Sequence, residues 1–298
     1  MSVFEGRAWI SNQGLVDVSI EVEEGYISSV KKTNLSPNRE KVDGLILPAA
    51  MDMHVHFRDP GYTHKEDWKT GSESAACGGV TAVVDMPNTN PFTSDYSQFK
   101  EKEGIAKEKS VVDFGIGINV EENLTKQDWF ETVPAAFWKL YPYGVSSKDY
   151  FRLAQEVLDK TKKPLVVHCE HPDYMHDNPL EKLSDHTENR LLAEEKCLSE
   201  MPPSKYLHVA HLSTSNGLRN LPSHSSTEVC PHHLLLNLDN CSSLDCKVDP
   251  PLRTISDNKT LYDAYRKGTI PILASDHAPH TVEEKKSSAP PSGMPAVE

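Results

Sequence analysis

The sequence predicts an α/β protein: a TIM-like (β/α)8 barrel preceded by a small N-terminal β domain of the sandwich type. Three observations predict it. Apolar runs of strand length recur eight times between residues 45 and 278, each followed by a polar, helix-compatible stretch, and that alternation implies a parallel sheet with helical crossovers. Residues 1–47 instead alternate apolar and polar side chains, as half-exposed antiparallel strands do. The chemically distinctive residues fall at the C-terminal ends of the apolar runs, where barrels build their sites. The division that follows is 1–47 for the small β domain and 48–298 for the barrel.

The elements justify themselves in order. VFEGRAWI and VDVSIEVEEGYISSVKK read as strands, with Glu24-Gly25 marking a turn. The eight apolar runs are 45–57, 80–87, 111–120, 135–141, 164–170, 206–212, 227–236 and 270–278. Helices are expected over 65–77, 95–109, 147–162, 187–200 and 258–267, with Ser146, Ser147 and Thr187 as N-cap candidates. Eight such units in this length suit a barrel of about 250 residues. A doubly wound open sheet is the competitor, but no glycine-rich phosphate loop follows the first run. The stretch 281–298, rich in Lys, Ser and Pro, reads as an exposed loop.

Composition narrows the function. A net charge of −13 argues against nucleic acid or an anionic membrane as the partner. The longest apolar runs fall far short of the ~20 residues of a membrane helix, and no secretory signal opens the chain. The six Cys have no metal-knot spacing, so a reducing, cytoplasmic setting is the simplest expectation, with Cys241 and Cys246 unpaired. The 14 His stand out because many come in pairs beside apolar runs.

His54 and His56 lie at i and i+2 near the end of the first run, so both rings face one side and are able to share a metal. His168 and His211 end the fifth and sixth runs and form a second potential metal position. Lys139 interrupts the apolar segment FWKLY. An unpaired buried ammonium is costly, so Lys139 either snorkels to water or is neutralised. A neutral amine takes up CO2 to give a carbamate, an anionic ligand shaped to bridge two cations. Asp276 is a candidate ligand and general base, or else a turn cap before Pro279. Asn88 reads as a turn former or a substrate donor, and His280 as a loop residue able to face a substrate. His277, His232 and His233 read as supporting or packing residues, and Cys230 as a small buried hydrophobe. Together, four His, one Lys and one Asp on five strand ends form a binuclear hydrolase constellation.

The motifs DMHVHFRDPG (52–61), MPNT (86–89), WKLY (138–141), VHCE (167–170), HVAHLS (208–213), PHHL (231–234), PPLR (250–253) and SDHAPH (275–280) resemble the dihydroorotase family of the amidohydrolase superfamily, over residues 45–298. The resemblance implies two zinc ions: one held by His54, His56 and Asp276, the second by His168 and His211, with carboxylated Lys139 between them. It implies that Arg58, Asn88 and His280 bind the substrate carboxylate. It also implies reversible hydrolysis of dihydroorotate to N-carbamoyl-aspartate in pyrimidine synthesis, with Asp276 moving the proton. The expected partner is a small molecule, with a homodimer or a transcarbamoylase complex as the assembly. Hydantoinases and allantoinases share the metal ligands but lack a ring carboxylate to recognise. A non-catalytic scaffold of the same fold would have lost the ligands, and this sequence keeps them. Relatives continue past the segment 293–298 into an eighth helix and strands that complete the small β domain. The sequence is therefore expected to be a truncated form, with the missing packing open to supply by a second subunit.

Overall fold

The computed structural model describes residues 1–32 and 38–298. Two compact units emerge, Met1–Ala50 and Met51–Glu298.

The first unit holds strands β1 (Ser2–Ile10), β2 (Gly14–Glu23), β3 (Tyr26–Lys31) and β4 (Arg39–Ile46), in the order β3-β2-β1-β4. β1 and β2 form a regular antiparallel hairpin from Ser2↔Val22 to Ile10↔Gly14, and β4 runs parallel to β1. The predicted turn forms, with Glu24 and Gly25 both at positive φ (51° and 83°). The period-2 pattern places Val16, Val18, Ile20 and Val22 on one face against Ala8, Ile10 and Ile46.

The second unit carries the remaining strands: β5 (Ala50–Val55), β6 (Val80–Asp85), β7 (Asp113–Ile116), β8 (Ile118–Asn119), β9 (Trp138–Leu140), β10 (Leu165–Val167), β11 (Leu207–Val209), β12 (Ser226–Val229) and β13 (Ile272–Leu273). They pair in chain order, β5-β6-β7 and then β8 through β13, with parallel ladders between strands that helices connect. Val55 bridges His277 in parallel, and His56 N donates to His277 O at 2.8 Å, so the end of the eighth run returns to the first. This is the α/β barrel order the alternation predicts. β10 and β11 are short and fully buried, which is why that part of the sequence reads as Val- and Leu-rich runs rather than as an alternation.

The helices are α1 (Trp68–Cys77), α2 (Tyr96–Lys109), α3 (Ser147–Lys160), α4 (Leu183–Glu188), α5 (Ala193–Glu200), α6 (Ser215–Arg219), α7 (Pro231–Leu235), α8 (Ile255–Arg266) and α9 (Val282–Lys285). Side-chain caps from Asp67, Asp95, Ser146 and Thr254 start α1, α2, α3 and α8. Among the described residues, no helix is long and apolar enough to cross a membrane.

Four expectations need correction. The run 111–120 is two strands, because Gly117 sits where a Cβ would meet the Phe137 ring at 2.1 Å and its N–H turns to Asp85 O. The run 227–236 stops at Val229, since Pro231 cannot donate to a ladder and instead opens α7. The helix expected over 187–200 is two helices, and Thr187 is no cap: it lies in α4, with its hydroxyl donating to Leu252 O at 2.9 Å. The stretch 281–298 is not a bare loop. It contains α9, and both Ala296 N and Val297 N donate to His277 Nδ1, at 3.0 and 3.2 Å, with Val297 buried.

Candidate active site

A cavity of about 260 Å³ opens at the C-terminal ends of the strands, and His54, His56, Lys139, His168, His211 and Asp276 all line it. Strand alternation turns Asp52, His54 and His56 to the same side. Asp52 accepts from His54 N and Ser275 N, both at 3.1 Å, which ties the end of β5 to the segment carrying Asp276. Asp276 Oδ1 then lies 3.1 Å from His54 Nε2 and 3.0 Å from His56 Nε2. Each ring is aimed from behind: His54 Nδ1 contacts Glu228 Oε1 at 2.5 Å, and His56 Nδ1 contacts Asn88 Oδ1 at 2.6 Å. Metal-binding imidazoles are typically oriented this way, with the second nitrogen donating to a carboxylate or carbonyl oxygen.

The opposite wall is less paired. His168 Nε2 lies 2.8 Å from Glu170 Oε2, so a proton there leaves Nδ1 as the free lone pair. The rings of His168 and His211 meet edge-to-face with centroids 4.5 Å apart, and His211 stands 5.3 Å from His54. His211 Nδ1 and Lys139 Nζ are buried and have no hydrogen-bond partner among the described residues. Lys139 is fully buried, which excludes snorkelling. Arg58, His211 and Asp276 all stand on left-handed backbone, with φ of 59°, 38° and 51°.

The electrostatics follow the same division. Burial pushes the Asp276 carboxyl up, but the charges and hydrogen bonds of His54 and His56 together outweigh it and hold the group well below its usual range. Burial lowers His54, while Asp276 and Glu228 together carry it up to about 9. His56 falls to about 4, because burial dominates there. Burial pushes Lys139 down to about 8, and Glu228 and Asp276 recover only part of that change. Lowering it this far raises the share of the neutral, nucleophilic amine that a carbamate requires.

Of the three expected substrate contacts, Arg58 and Asn88 line the cavity. His280 does not; it sits behind Arg58, 3.1 Å from Arg58 Nη2, with its Nε2 2.9 Å from Ser292 O. Arg58 Nε donates to Pro279 O at 3.1 Å, which fixes the fork. Tyr141 and Tyr143 also line the cavity, and the Tyr141 hydroxyl is buried without a partner among the described residues. Sequence reasoning passed over these tyrosines and Glu228. Glu228 carried a signal, a carboxylate inside the apolar run TEVC, of the same kind that drew attention to Lys139. Cys241 and Cys246 are joined as a disulfide, against the expectation that they stay apart; they lie five residues apart in one loop.

Comparison with known proteins agrees with this geometry. Residues 45–288 match the amidohydrolase family. The chain is 35% identical to a dihydroorotase of Methanosphaera stadtmanae, over 94% of this chain and 71% of that protein. It is 36% identical to a dihydroorotase of Pyrococcus abyssi, over 97% of this chain and 70% of that one. Among solved structures, an L-hydantoinase from Arthrobacter aurescens superposes with a TM-score of 0.82 at 22% identity, covering 96% of this chain and 71% of that one.

Proposed function

The chain belongs to the amidohydrolase family, and we propose that its site works as a dihydroorotase: a metal-dependent cyclic amidohydrolase that interconverts dihydroorotate and N-carbamoyl-aspartate in pyrimidine synthesis. The observation that carries the reading is Arg58 on the wall of the cavity that holds the histidine and aspartate cluster. A guanidinium there supplies the positive, forked partner that a ring carboxylate needs, inside a protein of net charge −13.

The residues fit a two-metal centre. His54, His56 and Asp276 already converge on one point, and the unpartnered His211 Nδ1 and Lys139 Nζ are groups that a second cation and a lysine carbamate would satisfy. We assign His54, His56 and Asp276 to one zinc, His168 and His211 to the other, and carboxylated Lys139 to the bridge. Bound there, the metals would polarise the ring carbonyl and lower the pKa of the attacking water.

The chain's own residues do the rest. Arg58 and Asn88 hold the substrate carboxylate, with His280 keeping Arg58 in place. Asp276, ionised by its histidine neighbours, accepts the proton of the attacking water. As the ring C–N bond breaks, it passes that proton to the leaving nitrogen; ring closure runs the same transfer backwards. A cytoplasmic homodimer, or an assembly with a transcarbamoylase delivering carbamoyl-aspartate, suits this chemistry, and residues 1–47 would form part of a small β domain.

The test is a substrate comparison with and without the Arg58 charge. The zinc-loaded protein should turn over dihydroorotate well ahead of hydantoin and allantoin. Arg58→Met should lower kcat/KM for dihydroorotate by roughly 10–100-fold, the worth of a charged hydrogen bond, and leave slow hydantoin hydrolysis unchanged. Equal turnover of hydantoin and dihydroorotate by the unaltered chain would sink the reading in favour of a hydantoinase.

A further inference from the structure

Where β12 ends, the chain runs Cys230-Pro231-His232-His233 into α7. Cys230, His232 and His233 are all buried, at 3% exposure or less. They offer a thiol and two imidazoles whose ligand atoms lie within 4.8 Å of one another. The two rings are 4.4 Å apart and tilted by 60°. Neither nitrogen of His232 has a hydrogen-bond partner among the described residues, and neither does His233 Nδ1. Leaving that many buried polar atoms unsatisfied costs about 1–3 kcal/mol each.

The partner of His233 is informative. Its Nε2 lies 3.0 Å from Pro250 O, so the proton sits on Nε2 and the lone pair on Nδ1. A backbone carbonyl that fixes the tautomer from behind, with the other nitrogen left without a partner beside a thiol, is the arrangement that supports a metal-bound histidine. None of the three residues lines the catalytic cavity.

We propose that Cys230, His232 and His233 form a further metal site, separate in its ligands from the catalytic cluster, that takes a borderline-soft divalent ion of the zinc type. One sulfur and two nitrogens suit zinc. Zn–S of about 2.3 Å and Zn–N of about 2.0 Å place tetrahedral ligands about 3.3–3.6 Å apart, so small side-chain rotations close the present spread. Binding exchanges the Cys230 S–H proton for the metal, and that proton leaves to solvent. The bound ion would fix the start of α7 and, through His233, the Pro250 carbonyl. Asp249, next in the chain, lines the catalytic cavity, so the site would brace one wall from outside.

Cobalt(II) tests this directly, because thiolate ligation gives an intense near-ultraviolet charge-transfer band that histidine, lysine carbamate and aspartate do not give. The catalytic set contains no cysteine, so the result is independent of the dihydroorotase reading. The metal-free protein titrated with Co(II) should develop the band, retain it in Cys169→Ala, and lose it in Cys230→Ala. Should Cys230→Ala fail to fold, the paired change His232→Asn and His233→Asn, which keeps the thiol, should abolish the band instead. Absence of the band at saturating cobalt overturns the site, as does a band that survives Cys230→Ala or the paired change.

Discussion

On one side of the cavity, His54, His56 and Asp276 satisfy one another, with Glu228 and Asn88 behind them; on the other, His211 and Lys139 are buried with polar atoms that nothing among the described residues meets. Both walls lie at strand ends of the same barrel, and both are buried. The difference is charge balance. The first wall brings carboxylates to its imidazoles and stands as a complete hydrogen-bonded cluster. The second sets the Lys139 ammonium near a His211 that burial keeps neutral, and Asp276 and Glu228 compensate the lysine only in part. A site built this way has a half that holds its shape unaided and a half that waits for added negative charge and cations.

Breaking the paired half should have the largest effect. Asp276→Ala removes the proposed metal ligand and proton carrier together, and turnover of dihydroorotate should fall by roughly 10²–10⁴ or more. A near-normal rate in a steady-state assay would remove Asp276 from the mechanism.

The unpaired half makes the opposite kind of prediction. Lys139→Met should abolish activity if Lys139 bridges the metals as proposed, but in the metal-free protein it should raise stability by on the order of 3 kcal/mol at pH 7, since every tenfold loss of proton affinity on folding is worth about 1.4 kcal/mol. The sign follows from the lysine. Its folded value of about 8 lies below the ordinary 10.5, so the unfolded chain holds more protons between them. The lysine's penalty is therefore full below pH 8 and relieved as pH rises towards 10.5. Urea unfolding of both proteins across that window should show the gap closing. A gap of constant size would mean that the ammonium is not the cause.

Glu228→Gln gives the smallest of the three effects and separates aim from charge. The amide oxygen still accepts from His54 Nδ1, but the carboxylate charge that helps carry His54 to about 9 is lost. Metal affinity should drop about 10–100-fold, the usual loss when a ligand's supporting carboxylate is altered. Isothermal titration with zinc reads it, and an unchanged affinity would reduce Glu228 to a packing role.

The sequence was readable where the information is local. His54 and His56 declare a shared face through period 2, and Lys139 declares itself by standing in an apolar run. The cap at Ser146 lies next to the helix it begins. What it could not show is set by distance along the chain. Glu228 meets His54 across 174 residues, and its value lies wholly in that meeting. His280 looked like a cavity residue from its motif, yet its position is decided by Arg58, which reaches the wall first. Pro231 marks a turn in the sequence, but the structure shows that the strand has already ended at Val229 and that Pro231 opens α7.

The left-handed backbone at Arg58, His211 and Asp276 sets a rule for how this sequence drifts. Each conformation costs an ordinary residue on the order of 1 kcal/mol and costs glycine almost nothing. At these three positions folding alone favours glycine, and only the chemistry of the side chain opposes it. A lineage that stopped needing the reaction would shed these residues early, whereas the buried apolar strands such as β10 and β11, which folding itself requires, would outlast the activity.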